Sequence, residues 1–240
     1  MNIIPNFNTI GTNRVNAVRF PNTYSMQFAD SIGGGGYLDL GATNSFDATN
    51  GLTMSCWFRA VGPIGPGINW LCSNGGTGSV SSQFNFGIAS DGKWNNFHDG
   101  TSHWTGITGL DDANWHHLTQ IINYTTGNVF YYKDGQMSAG IGLYGNTYTT
   151  AVLSEIGSSF NPLKGQVDEF AIFRGVQNAN DLYNNGTPGD LTSLNPLAWY
   201  RMGDPSPNPP TIRDLGSGSN DATMTGMTLP ASGIVENVPT

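Results

Sequence analysis

The chain has 240 residues, the length of one large all-β domain or two small domains. Only 11% of them are charged, and 17 acids against 9 bases leave a net charge of −8, so nothing resembles the basic stripe that a nucleic-acid partner requires. With 33 glycines and 13 prolines the chain is dense in turns, which excludes helical bundles, coiled coils and α/β nucleotide folds built on long helices. Residues 1–22 carry scattered apolar side chains without a period and are read as an N-terminal arm or an added edge strand. Apolar alternation then predicts strands at 25–28, 37–40, 53–60, 69–73, 83–89, 93–98 and 103–107. It continues at 115–124, 128–133, 136–140, 151–156, 164–173, 197–202 and 222–227. Asp91-Gly92, Asp99-Gly100, Thr126-Gly127 and Asp134-Gly135 separate these runs, and such dipeptides supply the positive φ of tight antiparallel hairpins. One short helix is expected at 179–184, stopped by Asn185-Gly186.

With 38% hydrophobic residues the chain can build a core, so disorder is a poor reading. No apolar run reaches the ~18 residues of a membrane-spanning helix, and no membrane insertion is expected. The start, Met1-Asn2-Ile3-Ile4-Pro5, lacks the basic and apolar regions of a signal peptide, although the Asn/Thr/Ser/Gly-rich composition is extracellular in kind. Cys56 alternates with Leu52, Met54 and Phe58, which reads as a free buried thiol rather than half of a bridge to Cys72.

Several segments together resemble the laminin-G-like, concanavalin A-like lectin/glucanase superfamily. Ser25-Met26-Gln27-Phe28 followed by Tyr37-Leu38-Asp39-Leu40 is similar to that family's opening hairpin, and Leu52–Phe58 to its strand with a central Trp. Trp115-His116-His117-Leu118 with Tyr131-Tyr132-Lys133-Asp134-Gly135 resembles its W-H-H hairpin, and 165–173 its G-x-I-D-E-V strand. The resemblance implies an all-β, two-sheet antiparallel jelly-roll sandwich over 23–240, in which 191–240 supplies a C-terminal strand that completes the sheet. Leu197–Asp204 and Asp214–Ala222 resemble a segment that in the family precedes the first hairpin, an arrangement similar to that of bacteriophage-encoded members.

Catalysis finds little support. The related glucanases carry an E-x-D-x-x-E strand, whereas Glu155, Glu169 and Glu236 stand in no such arrangement; Asp111-Asp112 would point to opposite sides of a strand and are read as a solvated loop. His116 and His117 are read as packed strand histidines. Alternation groups Asp168 with Phe170 and Ile172 facing the core, where a carboxylate needs hydrogen bonds or a cation. The resemblance implies one structural Ca²⁺ held by Asp168 with carbonyls near Asp30 and Gly36; backbone N–H donors are the equal alternative.

The stretch 93–104 interleaves aromatic rings with amides and acids. Trp94, Asn96, His98, Asp99, His103 and Trp104 are therefore candidate contacts, with Trp94 and Trp104 expected to line one surface. That surface would bind a glycan by ring stacking, or another subunit. The expected function is a non-catalytic, exposed bacteriophage virion protein, either a capsid decoration or a fibre-type domain. Its partners would be other virion proteins, its own copies in a homo-oligomer, and cell-surface glycans. The competing reading is a secreted, extracellular carbohydrate-binding or adhesion module.

Overall fold

Turn residues with positive φ decide which strands meet. Asp134 (φ 52°) and Gly135 (φ 72°) form a two-residue loop whose twist matches its flanking strands, and Gly127 (φ 67°) closes the preceding hairpin. The computed structural model describes residues 20–28, 35–41, 45–73, 85–98, 101–142, 150–227 and 233–240. Most of the expected N-terminal arm (1–22) lies outside the described residues.

In chain order the first strands are β1 (Ser25–Phe28), β2 (Tyr37–Asp39), β3 (Ser45–Asp47), β4 (Leu52–Ala60), β5 (Ile68–Ser73) and β6 (Asn85–Ala89). The next are β7 (Trp94–His98), β8 (Thr101–Trp104), β9 (His116–Asn123), β10 (Asn128–Lys133), β11 (Gln136–Gly142) and β12 (Thr150–Val152). Then come β13 (Glu155–Gly157), β14 (Gly165–Arg174), helix α1 (Ala179–Tyr183), β15 (Ala198–Tyr200), β16 (Thr211–Ile212), β17 (Ala222–Thr225) and β18 (Gly233–Val235). Among the described residues one sheet runs β11-β10-β9-β4-β14-β1-β18, with β15 also paired to β14. The other runs β16-β17-β2-β13-β5-β6-β7-β8, and β3 and β12 make a separate ribbon. The pairings are antiparallel, and the two sheets stack as the expected sandwich.

Alternation supplies the core. Met54, Cys56 and Phe58 of β4 and Leu118 and Ile122 of β9 meet Phe86, Ile88 and Trp94 of the opposite sheet in one buried cluster. Each such side chain taken from water contributes about 1.5–3 kcal/mol before the entropy of ordering is set against it. Cys56 and Cys72 are free and buried, and burial pushes both thiols above their ordinary range. The tail enters both sheets, where one completing strand was expected: β15 pairs with β14, β17 with β2 and β18 with β1.

Three local expectations shift. The run 151–156 divides into β12 and β13, because Ser154 turns its backbone to Leu40 and Ser73 between them. The strand expected at 103–107 ends at Trp104, before Gly106 takes a φ of 77°. Helix α1 ends at Tyr183, since Asn184 already adopts the left-handed conformation, one residue before the expected stop.

Candidate functional site

A period of two determines which side chains of the hairpin β7–β8 meet solvent. Trp94 is fully buried between the sheets, with its ring centroid 5.2 Å from that of Phe86 and 5.4 Å from that of Tyr131. The Asn96 Nδ2 donates to the Tyr131 hydroxyl at 2.9 Å, which fixes Asn96 on the same inward side. His103 stands opposite Asn96 and shares that side. Asn95 and Trp104 are also register partners, and they take the outer side. Trp94 and Trp104 therefore lie on opposite faces, contrary to the expectation that they line one surface. Trp94 and Asn96 belong to the interior and are withdrawn as glycan contacts. Asp99 and the His98 side chain lie outside the described residues. Trp104 stands in the open, 53% exposed.

The outer side carries an arrangement that the sequence reading missed. Trp70, Gly87, Asn95 and Trp104 are successive register partners across β5, β6, β7 and β8, forming one row perpendicular to the strands. Three strand spacings make the row about 14 Å long. A Cβ at Gly87 would lie 2.8 Å from Trp70 Cε3, 2.7 Å from the Asn69 carbonyl oxygen and 2.6 Å from Ile68 Cγ2. The missing side chain thus lets the Trp70 indole approach the backbone of β6. Phe97 meets Trp70 edge-on, 6.2 Å between centroids. Asn95 Nδ2 donates to Ser102 Oγ at 2.7 Å and to the His103 carbonyl at 3.3 Å. The row contains no charged side chain. Two indoles at its ends offer apolar ring faces, with the exposed Ser102 hydroxyl beside them, a combination suited to a ligand with one apolar and one hydroxylated aspect. The available signal was parity: Phe86 and Ile88 in the core place Gly87 outside, and Trp94 inside places Asn95 outside.

Asp168 departs from its expected place. A bulge in β14, with Glu169 at φ 48°, shifts the register between Asp168 and Ala171. Val167 faces the core before the bulge, and Phe170 and Ile172 face it afterwards. The two adjacent acids are therefore left together on the outer side of the sheet. There they are covered by residues 20–24 and by the β15 segment. Asp168 accepts from the Glu169 N–H at 2.8 Å and from Asn22 Nδ2 at 2.9 Å. Glu169 accepts from Arg201 Nε at 2.9 Å and from Trp199 Nε1 at 2.6 Å. Asp204 accepts from the N–H groups of Thr23 and Tyr24 at 2.8 and 3.2 Å. Arg201 also donates to the Pro21 carbonyl and lies under the Phe20 ring. Burial, then the neighbouring Glu169 charge, pushes Asp168 well above the usual carboxylate range. Burial raises Glu169 to about 7 against the opposing pull of Arg201 and Trp199.

These residues do not fit a calcium cage. Both Asp168 oxygens accept hydrogen bonds from within the chain, whereas calcium takes six to eight oxygens. The register sets Gly165 opposite Phe28, so Asp168 lies three residues, about 10 Å, from the end of β1 that leads towards Asp30. Asp30 itself is outside the described residues, and Gly36 packs near Met227 and Gly157. Among the described residues no three His, Cys, Asp or Glu side chains gather to hold a metal ion.

His116 and His117 take opposite sides of β9. His116 sits between Asp134 Oδ2 at 2.7 Å and Asp112 Oδ1 at 3.1 Å. Burial opposes its protonation, but these carboxylates prevail and raise its pKa. His117 packs edge-on to Trp57, 5.1 Å between centroids, and burial lowers its pKa to about 3. Glu155 is occupied by Ser73 and Ser159. The described helix is too short to cross a membrane.

Residues 32–182 match the family described as the concanavalin A-like lectin/glucanases superfamily. Among solved structures, a candidate carbohydrate-binding protein from Bacteroides ovatus is similar at 17% identity and a TM-score of 0.63, covering 92% of this chain. The chain spans 62% of that protein's length. A heptameric pentraxin of Limulus polyphemus is similar at 12% identity and a TM-score of 0.47, covering 68% of this chain and 81% of the pentraxin. The binding domain of botulinum neurotoxin DC, solved with sialylT, is similar at 14% identity and a TM-score of 0.46, covering 68% of this chain and 44% of that domain. No curated protein matches the chain by sequence.

Proposed function

Since the chain belongs to the concanavalin A-like lectin/glucanases superfamily, we propose that it is a non-catalytic carbohydrate-binding module whose ligand lies on the outer row from Trp70 to Trp104. The observation that carries this reading is the exposed Trp104 indole, in register with Trp70 along an uncharged row. The ligand class is a neutral glycan, because a net charge of −8 disfavours polyanions and the row offers no cation to pair with them. The Bacteroides ovatus protein that shares this fold, a candidate carbohydrate-binding protein, points the same way. A hydrolytic role is less well served: Asp168 and Glu169 are buried and hydrogen-bonded within the chain.

Calorimetric titration with neutral oligosaccharides tests the reading. Trp104→Ala should weaken binding at least about tenfold, equivalent to about 1.4 kcal/mol. Binding that survives Trp104→Ala unchanged would remove the row from the site. Release of reducing ends from a bound glycan, lost on Glu169→Gln, would instead make the protein a hydrolase.

We further propose that the module is displayed on a bacteriophage virion, a setting supported by its sparse charge and exposed-type composition. Mass spectrometry of purified particles tests it, and recovery only as a free secreted product would favour the extracellular alternative.

A further inference from the structure

We infer, resting on the carbohydrate-binding reading, that the row accepts an extended neutral glycan of about three or more sugar units laid across β5 to β8. A single terminal sugar does not satisfy this geometry. The backbone positions of Trp70 and Trp104 mark the two ends of the row, three strand spacings or about 14 Å apart. One sugar ring covers only part of that span, whereas a chain of about three covers it. Between them the floor is kept low. Gly87 has no side chain, and Asn95 is fully buried, its amide turned along the sheet towards Ser102 and His103.

Gly87 is the positioning residue of this surface. A Cβ there would meet the Trp70 indole at 2.8 Å and, more stubbornly, the Asn69 carbonyl oxygen at 2.7 Å. An alanine would displace the indole or part the strands, disturbing one end of the platform and leaving Trp104 in place.

The experiment measures the affinity of the full chain for cello-, manno- and laminari-oligosaccharides of one to six units by titration calorimetry. For the series that binds, affinity should rise at least tenfold between two and four units and then level off. Trp70→Ala and Trp104→Ala should each cost about tenfold on the hexasaccharide. Trp70→Phe should restore most of the loss at its end, and Gly87→Ala should weaken the hexasaccharide about as much as Trp70→Ala does. Melting curves of each variant show that the sandwich is intact, and Trp70→Phe keeps the test decisive if Gly87→Ala fails to fold. Affinity independent of chain length, or a hexasaccharide indifferent to Trp70→Ala but lost with Trp104→Ala, would overturn the extended site and leave a single-sugar module. If none of the three series binds at any length, the carbohydrate reading itself fails, and the extended site with it.

Discussion

Replacing His117 by phenylalanine should remove a large part of the protein's sensitivity to acid. The imidazole is fully enclosed beside Trp57 and Tyr183, with centroids at 5.1 and 5.9 Å, and burial lowers its pKa from 6.5 to about 3. The unfolded chain takes up a proton near pH 6.5, while the folded chain resists until about pH 3. Between those values the unfolded state binds more protons, so stability falls as the pH falls. Each decade of acidity costs about 1.4 kcal/mol, giving about 2 kcal/mol by pH 5 and a ceiling of about 5 kcal/mol at pH 3. Glu169 works in the opposite sense. Its raised pKa of about 7 gives stability that is fully present below 4.5 and lost as the pH rises through 7. Comparing wild type with His117→Phe cancels that contribution. Urea unfolding at pH 7 and pH 5 should show the wild type losing about 2 kcal/mol more than the variant over the interval. Equal losses would mean that His117 is protonated in the folded protein, and the argument from its burial would be wrong.

Other expectations follow from groups held in place by burial. Gln120 is 1% exposed, and among the described residues neither of its amide atoms has a hydrogen-bond partner, so Gln120→Met should stabilise the protein by about 1 kcal/mol in urea unfolding; destabilisation would show that the amide is bonded. Asp168→Asn should lower the melting temperature little, because burial and the neighbouring Glu169 charge already work against the charged form of the acid; a sharp loss would mean that its charge is needed. Arg201→Ala should cost about 3–5 kcal/mol in urea unfolding, because Glu169 would be left buried without its cation; a loss below about 1 kcal/mol would refute that role. Deleting 191–240 removes β15 to β18 together with buried Trp199 and Tyr200, and should leave protein without a cooperative thermal transition.

The hairpins were legible because their information is local: an Asp-Gly pair and alternating side chains lie within a few residues of each other. The strand 165–173 was legible as a strand but not in its facing, since one residue at positive φ reverses the parity beyond it. Asp168 was therefore grouped with Phe170 on the wrong side. The aromatic hairpin drew attention for its composition, yet its two tryptophans are assigned to opposite faces by the pairing of Asn95 with Trp104. Trp70 escaped notice for a different reason. Its place in the row depends on the register of four strands, and register is a relation between distant segments. The shortest strands, such as β16 with two residues and β18 with three, carry too few side chains to display a period.

The pairing of β1 with β18 determines how the domain would respond to tension. Ser25 lies opposite Val235 and Gln27 opposite Gly233, so the chain before β1 and the chain after β18 leave from the same end of the ribbon. A pull applied through residues 24 and 236 would load the Ser25–Val235 pair first and pass to the next only when that pair had parted. The bonds would open one at a time, like a zip, instead of sharing the load in parallel. A domain tethered at both ends would therefore lengthen by peeling β18 away at low force, while β4, β9 and β14 deeper in the same sheet remained engaged.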